Sequence, residues 1–193
     1  KAAGMGTAPD QADPDHYLCS YAHCDVLVVG AGPSGLMSTL AAARTGASVM
    51  LVDENPAAGG WLQRERLSMD GMPGANWAES IWQERTDLPN VTVRARATAF
   101  GYYDHNMVAI LERVPRGNDK DLPSQRLWRV RAKRVVLATG AIERPLLFAD
   151  NDRPGVMLAD AALEYLRRYA VCAGQRVVVA TGRAFTISRA TRQ

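Results

Sequence analysis

Apolar residues are arranged in three ways along the chain, and each arrangement predicts a different element. Short continuous runs come first. "VLVV" (Val26 to Val29) and "VMLV" (Val49 to Val52) read as strands buried on both faces. Between them "PSGLMSTLAAARTG" predicts a helix that opens at Pro33 and ends near Gly46. The three segments form one βαβ unit, whose crossover is expected to be right-handed. Strict alternation marks "MVAILERV" and "QRLWRVRA", which the loop "PRGNDKDLPS" separates into a hairpin. "VTVRARATAF" (Val91 to Phe100) reads as a third strand, and "RVVLATGA" (Arg134 to Ala141) as a buried strand ending in small residues. Helical spacing appears last, at Leu158, Ala162, Tyr165, Leu166 and Tyr169. The mixed charges of 62–90, with Trp77 and Trp82, suggest a surface helix.

The expected fold class is therefore α/β: a Rossmann-like, doubly wound parallel sheet carrying an antiparallel hairpin or meander insertion, of the FAD/NAD(P)-binding type. Residues 1–23, rich in Ala, Pro, Asp and Gly, read as an arm or linker, and 24–145 as the dinucleotide-binding domain. "QRVVVATG" begins one more strand with no parallel partner after it. Residues 146–193 thus read as the truncated start of a second such domain, and Lys1 as a cut end.

Composition removes several functions. A net charge of +3 is too small to argue for nucleic acid, and "RVRAKR" alternates as a strand with one wet face would. No apolar run approaches a membrane span. The three cysteines, Cys19, Cys24 and Cys172, have no framework spacing, so a reducing compartment, the cytoplasm, is expected, with Cys172 as a small buried apolar residue. His16, His23 and His105 fall in predicted arms or turns without metal-ligand spacing, and "YYDHN" is good turn chemistry.

Candidate chemistry concentrates in "VLVVGAGPSGL". Gly30, Gly32 and Gly35 give G-x-G-x-x-G between a strand and a helix. The first glycine permits a tight turn, the second lets a pyrophosphate approach the backbone, and the third lets helix and sheet pack closely. The helix N-terminus then offers free N–H groups to phosphate, with Pro33 preset for the first helical position and Ser34 beside it. Asp53 ends the next strand, where a carboxylate accepts from a ribose 2′-hydroxyl and repels a 2′-phosphate. NAD or FAD is thereby favoured over NADP. Glu54 and Asn55 either share the ribose or are simply solvated. Gly59 and Gly60 form either a loop close to a ligand or an ordinary turn, and Trp61 either caps the pocket or packs as core. Ala99 lies near where an adenine would sit, and Thr139 and Gly140 end the returning strand at its carboxyl edge. No catalytic residue stands out beside these groups.

The order βαβ, hairpin, "VVLATGA" resembles flavoproteins with two dinucleotide-binding domains. The absence of a cysteine pair in "GGWLQRERL" argues against their disulfide reductases. "HCDVLVVGAGPSGL", "VDENPAAGG", "FGYYDHN", "RLWRVRAKRVVLATGAIERPL" and "NDRPGVMLADA" together resemble the α subunit of heterotetrameric sarcosine oxidase. The α subunits of opine, octopine and amino-acid dehydrogenase complexes are similar. The resemblance implies an internal piece of a longer subunit within a hetero-oligomeric complex that oxidatively demethylates sarcosine or a related secondary amine. It implies NAD at this site, with FMN between subunits and FAD in a β subunit. The positions it carries over are Gly30, Gly32, Ser34, Gly35, Asp53, Glu54, Asn55, Trp61 and Ala99. The tail "ATGRAFTISRATRQ" departs from the pattern. Two other readings remain: a non-catalytic nucleotide-binding or assembly module, and the FAD domain of a self-contained reductase.

Overall fold

The computed structural model describes residues 10–64, 67–84, 88–115, 117, 119, 121–180 and the backbone of 185–189. The chain runs through β1 (Tyr17–Val29), α1 (Pro33–Arg44), β2 (Val49–Val52), a short hairpin of β3 (Ser68–Met69) and β4 (Met72–Pro73), and α2 (Gly74–Glu84). It continues through β5 (Val91–Arg94), β6 (Ala97–Tyr103), β7 (Met107–Arg113), β8 (Gln125–Leu137), α3 (Ala159–Tyr169), β9 (Arg176–Ala180) and β10 (Phe185–Arg189). Six strands form one sheet in the order β5-β2-β1-β8-β7-β6. The first four are mutually parallel, and β7 and β6 join antiparallel.

The period-2 geometry of strands sorts the core onto two faces of this sheet. Val28, Val49 and Leu51 point one way, against Leu36 and Ala43 of α1, Leu62, and Trp77 and Ala78 of α2. Leu27, Val29, Met50 and Val52 point the other way, against Ala97, Val108, Ile110, Val130 and Ala132 of the antiparallel strands. The fold is thus layered as helices, parallel strands and an antiparallel meander. The Rossmann-like expectation and its meander insertion hold, except that α1 and α2 cover one sheet face and the meander, in place of a second helix layer, covers the other.

Several elements differ from the sequence reading, each for a physical reason. "QRLWRVRA" and "RVVLATGA" are one strand, because β8 pairs with β1 from Tyr17↔Gln125 to Val29↔Leu137. β1 accordingly starts at Tyr17, inside the stretch read as an arm. "VTVRARATAF" is two strands. The break at Ala95-Arg96, where Arg96 adopts φ 55°, carries the chain from the parallel edge to the meander. β9 is not a lone parallel strand but pairs antiparallel with β10. Cys172 is exposed, and Cys24 is the buried thiol. The "DHN" turn is as expected, with His105 and Asn106 in the left-handed region. In "RVRAKR" the arginines and Lys133 face solvent while Val130 and Ala132 are buried. Residues 181–184 and 190–193 of the aberrant tail lie outside the described residues.

Candidate functional site

The carboxyl ends of β1, β2 and β8 converge on the turn Gly30 to Pro33, and the three motif glycines there do three different things. Gly30 has φ +102°, and a Cβ on it would lie 2.3 Å from the Ala138 carbonyl oxygen of the chain leaving β8. A Cβ on Gly35 would lie 1.8 Å from the Gly30 carbonyl oxygen, so helix and turn touch backbone to backbone. Gly32 is different: a Cβ there would meet nothing within 4 Å. Its backbone faces open space although its φ of −70° suits any residue. Neither strain nor protein packing asks for a glycine there. The open space beside it leaves the main chain accessible.

Gly32 caps α1, with the Leu36 N–H donating to the Gly32 carbonyl at 2.9 Å. Pro33 takes the first helical position, and no acidic side chain occupies the first turn. The positive end of the helix dipole thus has no acid of its own first turn against it; the nearest carboxylate described, Asp53, reaches the turn through the Ala31 N–H. Pro33 and Ser34, with Gly32, Trp61, Thr139 and Gly140, line a cleft of about 300 Å³. Ser38, Val136, Leu137 and Ala138 complete it. The sequence reading missed Ser38, Val136 and Leu137, whereas Ala138 opens the "ATG" that it placed at the carboxyl edge of the returning strand.

The Gly59-Gly60 turn is no ordinary surface loop. The Gly59 N–H donates to the Ala31 carbonyl at 2.7 Å, and a Cβ on Gly60 would stand 3.3 Å from the Gly32 Cα. The two glycine turns lie directly against each other. Trp61 follows in a short 3-10 turn with its ring half exposed on the cleft wall. It is not a core residue. That part falls to Trp77, which is buried and donates from its indole N–H to Asp70 at 2.8 Å.

Asp53 sits where β2 ends, and its carboxylate spans the turn. Oδ2 accepts the Ala31 N–H at 2.6 Å, while Oδ1 accepts the Asn55 N–H at 2.7 Å and its Nδ2 at 3.1 Å. Asn55 thus serves Asp53, and the adjoining Glu54 is exposed. The Asp53 carbonyl accepts the Ala97 N–H at 2.8 Å, which hangs the start of β6 on the end of β2. Ala99, two residues on, is half-buried and paired with Ile110 of β7. Of the sequence-predicted groups, the structure gathers Gly32, Pro33, Ser34, Trp61, Thr139 and Gly140 around one cleft. It puts Asp53 and Gly60 against the same turn and Ala99 further along β6.

A glycine turn between a parallel strand and a helix, an acid closing the next strand, and an antiparallel meander over the sheet define a dinucleotide-binding domain of the FAD/NAD(P) oxidoreductase type. The family of FAD dependent oxidoreductases matches residues 25–113. The crystal structure of L-proline dehydrogenase from P. horikoshii superposes with a TM-score of 0.67 at 28% identity, over 81% of this chain and 31% of that one. The chain is a homologue of the sarcosine oxidase α subunits. It is 49% identical to the sarcosine oxidase α subunit of Rhizobium meliloti (strain 1021) over 184 residues, covering 94% of this chain and 19% of the relative. An opine oxidase subunit from Agrobacterium tumefaciens (strain Ach5) is 37% identical over 82% of this chain and 32% of its own length. The chain spans about a fifth of the length of the sarcosine oxidase subunits it matches.

Proposed function

We propose that this chain is the nucleotide-holding part of the α subunit of a hetero-oligomeric, flavin-dependent oxidase that demethylates sarcosine or a related secondary amine. Partner subunits, one of them carrying FAD with FMN held between subunits, would conduct the amine oxidation. The occupant of the site proposed here is NAD. The observation that carries this reading is Gly32, whose bare backbone faces open space at a helix N-terminus where nothing in the protein requires glycine.

The residues divide the work by chemistry. The N–H groups of the first turn of α1 and the Ser34 hydroxyl receive the pyrophosphate, whose charge the dipole end stabilises. Gly60 lets the facing turn approach the same phosphates without a side chain between. Asp53 and Glu54 accept from the adenosine ribose, and the negative charge there repels a 2′-phosphate. Ala99 borders the adenine, and Trp61, Thr139 and Gly140 wall the half of the ligand beyond the pyrophosphate. A bound dinucleotide supplies hydride-carrying capacity that these side chains lack. The described lining of the cleft carries no carboxylate, imidazole or amine, in keeping with a reaction carried out elsewhere in the proposed complex.

The proposed dinucleotide domain runs to residue 145 and takes in β1 from Tyr17, and 146–193 belong to a second one. The cytoplasm is the proposed location, in keeping with three free thiols. FAD in place of NAD is a second reading, supported by the family match across 25–113; both ligands present the same adenosine diphosphate half. Denaturing the intact protein and weighing the released nucleotides by mass spectrometry separates them. One NAD per chain is expected. FAD as the sole nucleotide bound to this chain would transfer the site to the second reading, and release of none would overturn both.

A further inference from the structure

The Gly59–Gln63 turn is followed by Arg64, whose guanidinium reaches far along the sequence. Nη2 lies 3.0 Å from Asp160 Oδ2 and Nη1 lies 3.7 Å from Glu164 Oε2, both on α3. Asp160 and Glu164 are one helical turn apart and so share a face of that helix. Arg64 is only 25% exposed, and its buried Nε has no partner, so the group is held by these two carboxylates. Its own N–H donates to the Trp61 carbonyl at 3.0 Å, which closes the 3-10 turn carrying the cleft tryptophan. A second strap runs to the same helix from the other wall. The Asp160 N–H donates to Glu143 Oε2 at 2.9 Å, and Glu143 follows closely on Thr139 and Gly140. No residue of α3 is buried, so little apolar packing competes with these polar contacts in placing it.

We infer that Arg64 is a positioning residue for the nucleotide cleft, which ties the Trp61 turn to α3 so that filling the cleft and seating α3 favour one another. The inference rests on the nucleotide site proposed above. The turn that Arg64 terminates lies against the glycine turn through the Gly59 N–H and the Gly60–Gly32 approach. Fixing one end of it on α3 narrows the positions open to Trp61 and Gly60 before a ligand arrives, and preorganisation raises affinity. By reciprocity, a ligand held between the two turns must steady α3 by the same factor.

The full natural chain tests this with Arg64→Met and, separately, with Asp160→Asn/Glu164→Gln, which cuts the same link without touching the Trp61 turn. Binding of NAD and of FAD is measured by calorimetry, and hydrogen exchange at 159–169 is followed with and without nucleotide. Both variants are expected to bind nucleotide about fivefold more weakly, the low end of ordinary site coupling. Nucleotide is expected to slow exchange in α3 of the wild type and to leave it unchanged in both variants. A merely structural ion pair would lower the melting temperature yet leave that protection in place. Wild-type affinity with protection retained in either folded variant overturns the inference and spares the site. Failure of the wild type to bind either nucleotide overturns the site reading, and the inference with it.

Discussion

At the residue scale the motif glycines separate stability from binding. In Gly35→Ala the new methyl meets the Gly30 carbonyl oxygen at 1.8 Å, and neither backbone can yield. A loss of about 2 kcal/mol or more is expected, read as a melting temperature lower by ~4–8 °C. In Gly32→Ala the methyl meets no protein atom and the backbone dihedral is ordinary. The melting temperature of the nucleotide-free protein should hold while nucleotide affinity collapses, since the methyl would occupy the approach proposed for the pyrophosphate. Equal binding by wild type and Gly32→Ala would remove the reason for a glycine there. Cys24 gives a third test. Burial pushes its thiol up to about 11, so it stays a thiol at neutral pH. A maleimide should label Cys24 only when the protein is unfolded, while the exposed Cys19 and Cys172 react in the folded state.

At the element scale, the amino-terminal end of the parallel sheet is tied by charge. Asp25 of β1 meets Lys133 of β8 at 2.7 Å and accepts the Ser48 N–H and hydroxyl, each at 2.8 Å, just before β2. The Lys133 ammonium first, then the Ser48 donors, hold the Asp25 carboxyl well below the usual carboxylate range. A folded-state value below the unfolded one means stability that is present above about pH 4 and fades as pH falls further. The stability lead of the wild type over Asp25→Asn should therefore be full at pH 7, shrink below about pH 4, and diminish with salt. A gap that widened in acid would contradict this. The same strands show what the sequence makes legible. Val26–Val29 and Val49–Val52 are readable because a strand covered on both faces must be continuously apolar. The unity of β8 is not, because its first half lies between β1 and β7 with one wet face, whereas its second half pairs with β1 alone. One strand therefore carries two patterns. The glycine turn and Asp53 were legible because their spacing is local. Arg64 was not, because its partners lie 96 and 100 residues away and nothing local marks a pair made by folding.

At the scale of the whole molecule, the apolar surface is unevenly spread. The dinucleotide layer buries its large side chains on both sheet faces, whereas 137–178 exposes a series of them. Ile142 is 90% exposed and Leu147 is 91% exposed, with Leu146 and Phe148 beside them and Tyr165, Leu166 and Tyr169 on α3. Side chains that bury almost nothing contribute almost nothing to folding, so Ile142→Ser/Leu147→Ser should shift the unfolding free energy of this 193-residue chain by no more than about 0.5 kcal/mol. The same pair should matter more for association, because large apolar side chains left this exposed gain by being covered. Light scattering against concentration is expected to show self-association of the 193-residue chain that the double change reduces, with denaturant midpoints coinciding. If the double change instead lowered the midpoint substantially, these side chains would be packed in the folded chain. The segment after β8 would then be part of the core rather than a surface that another protein surface covers.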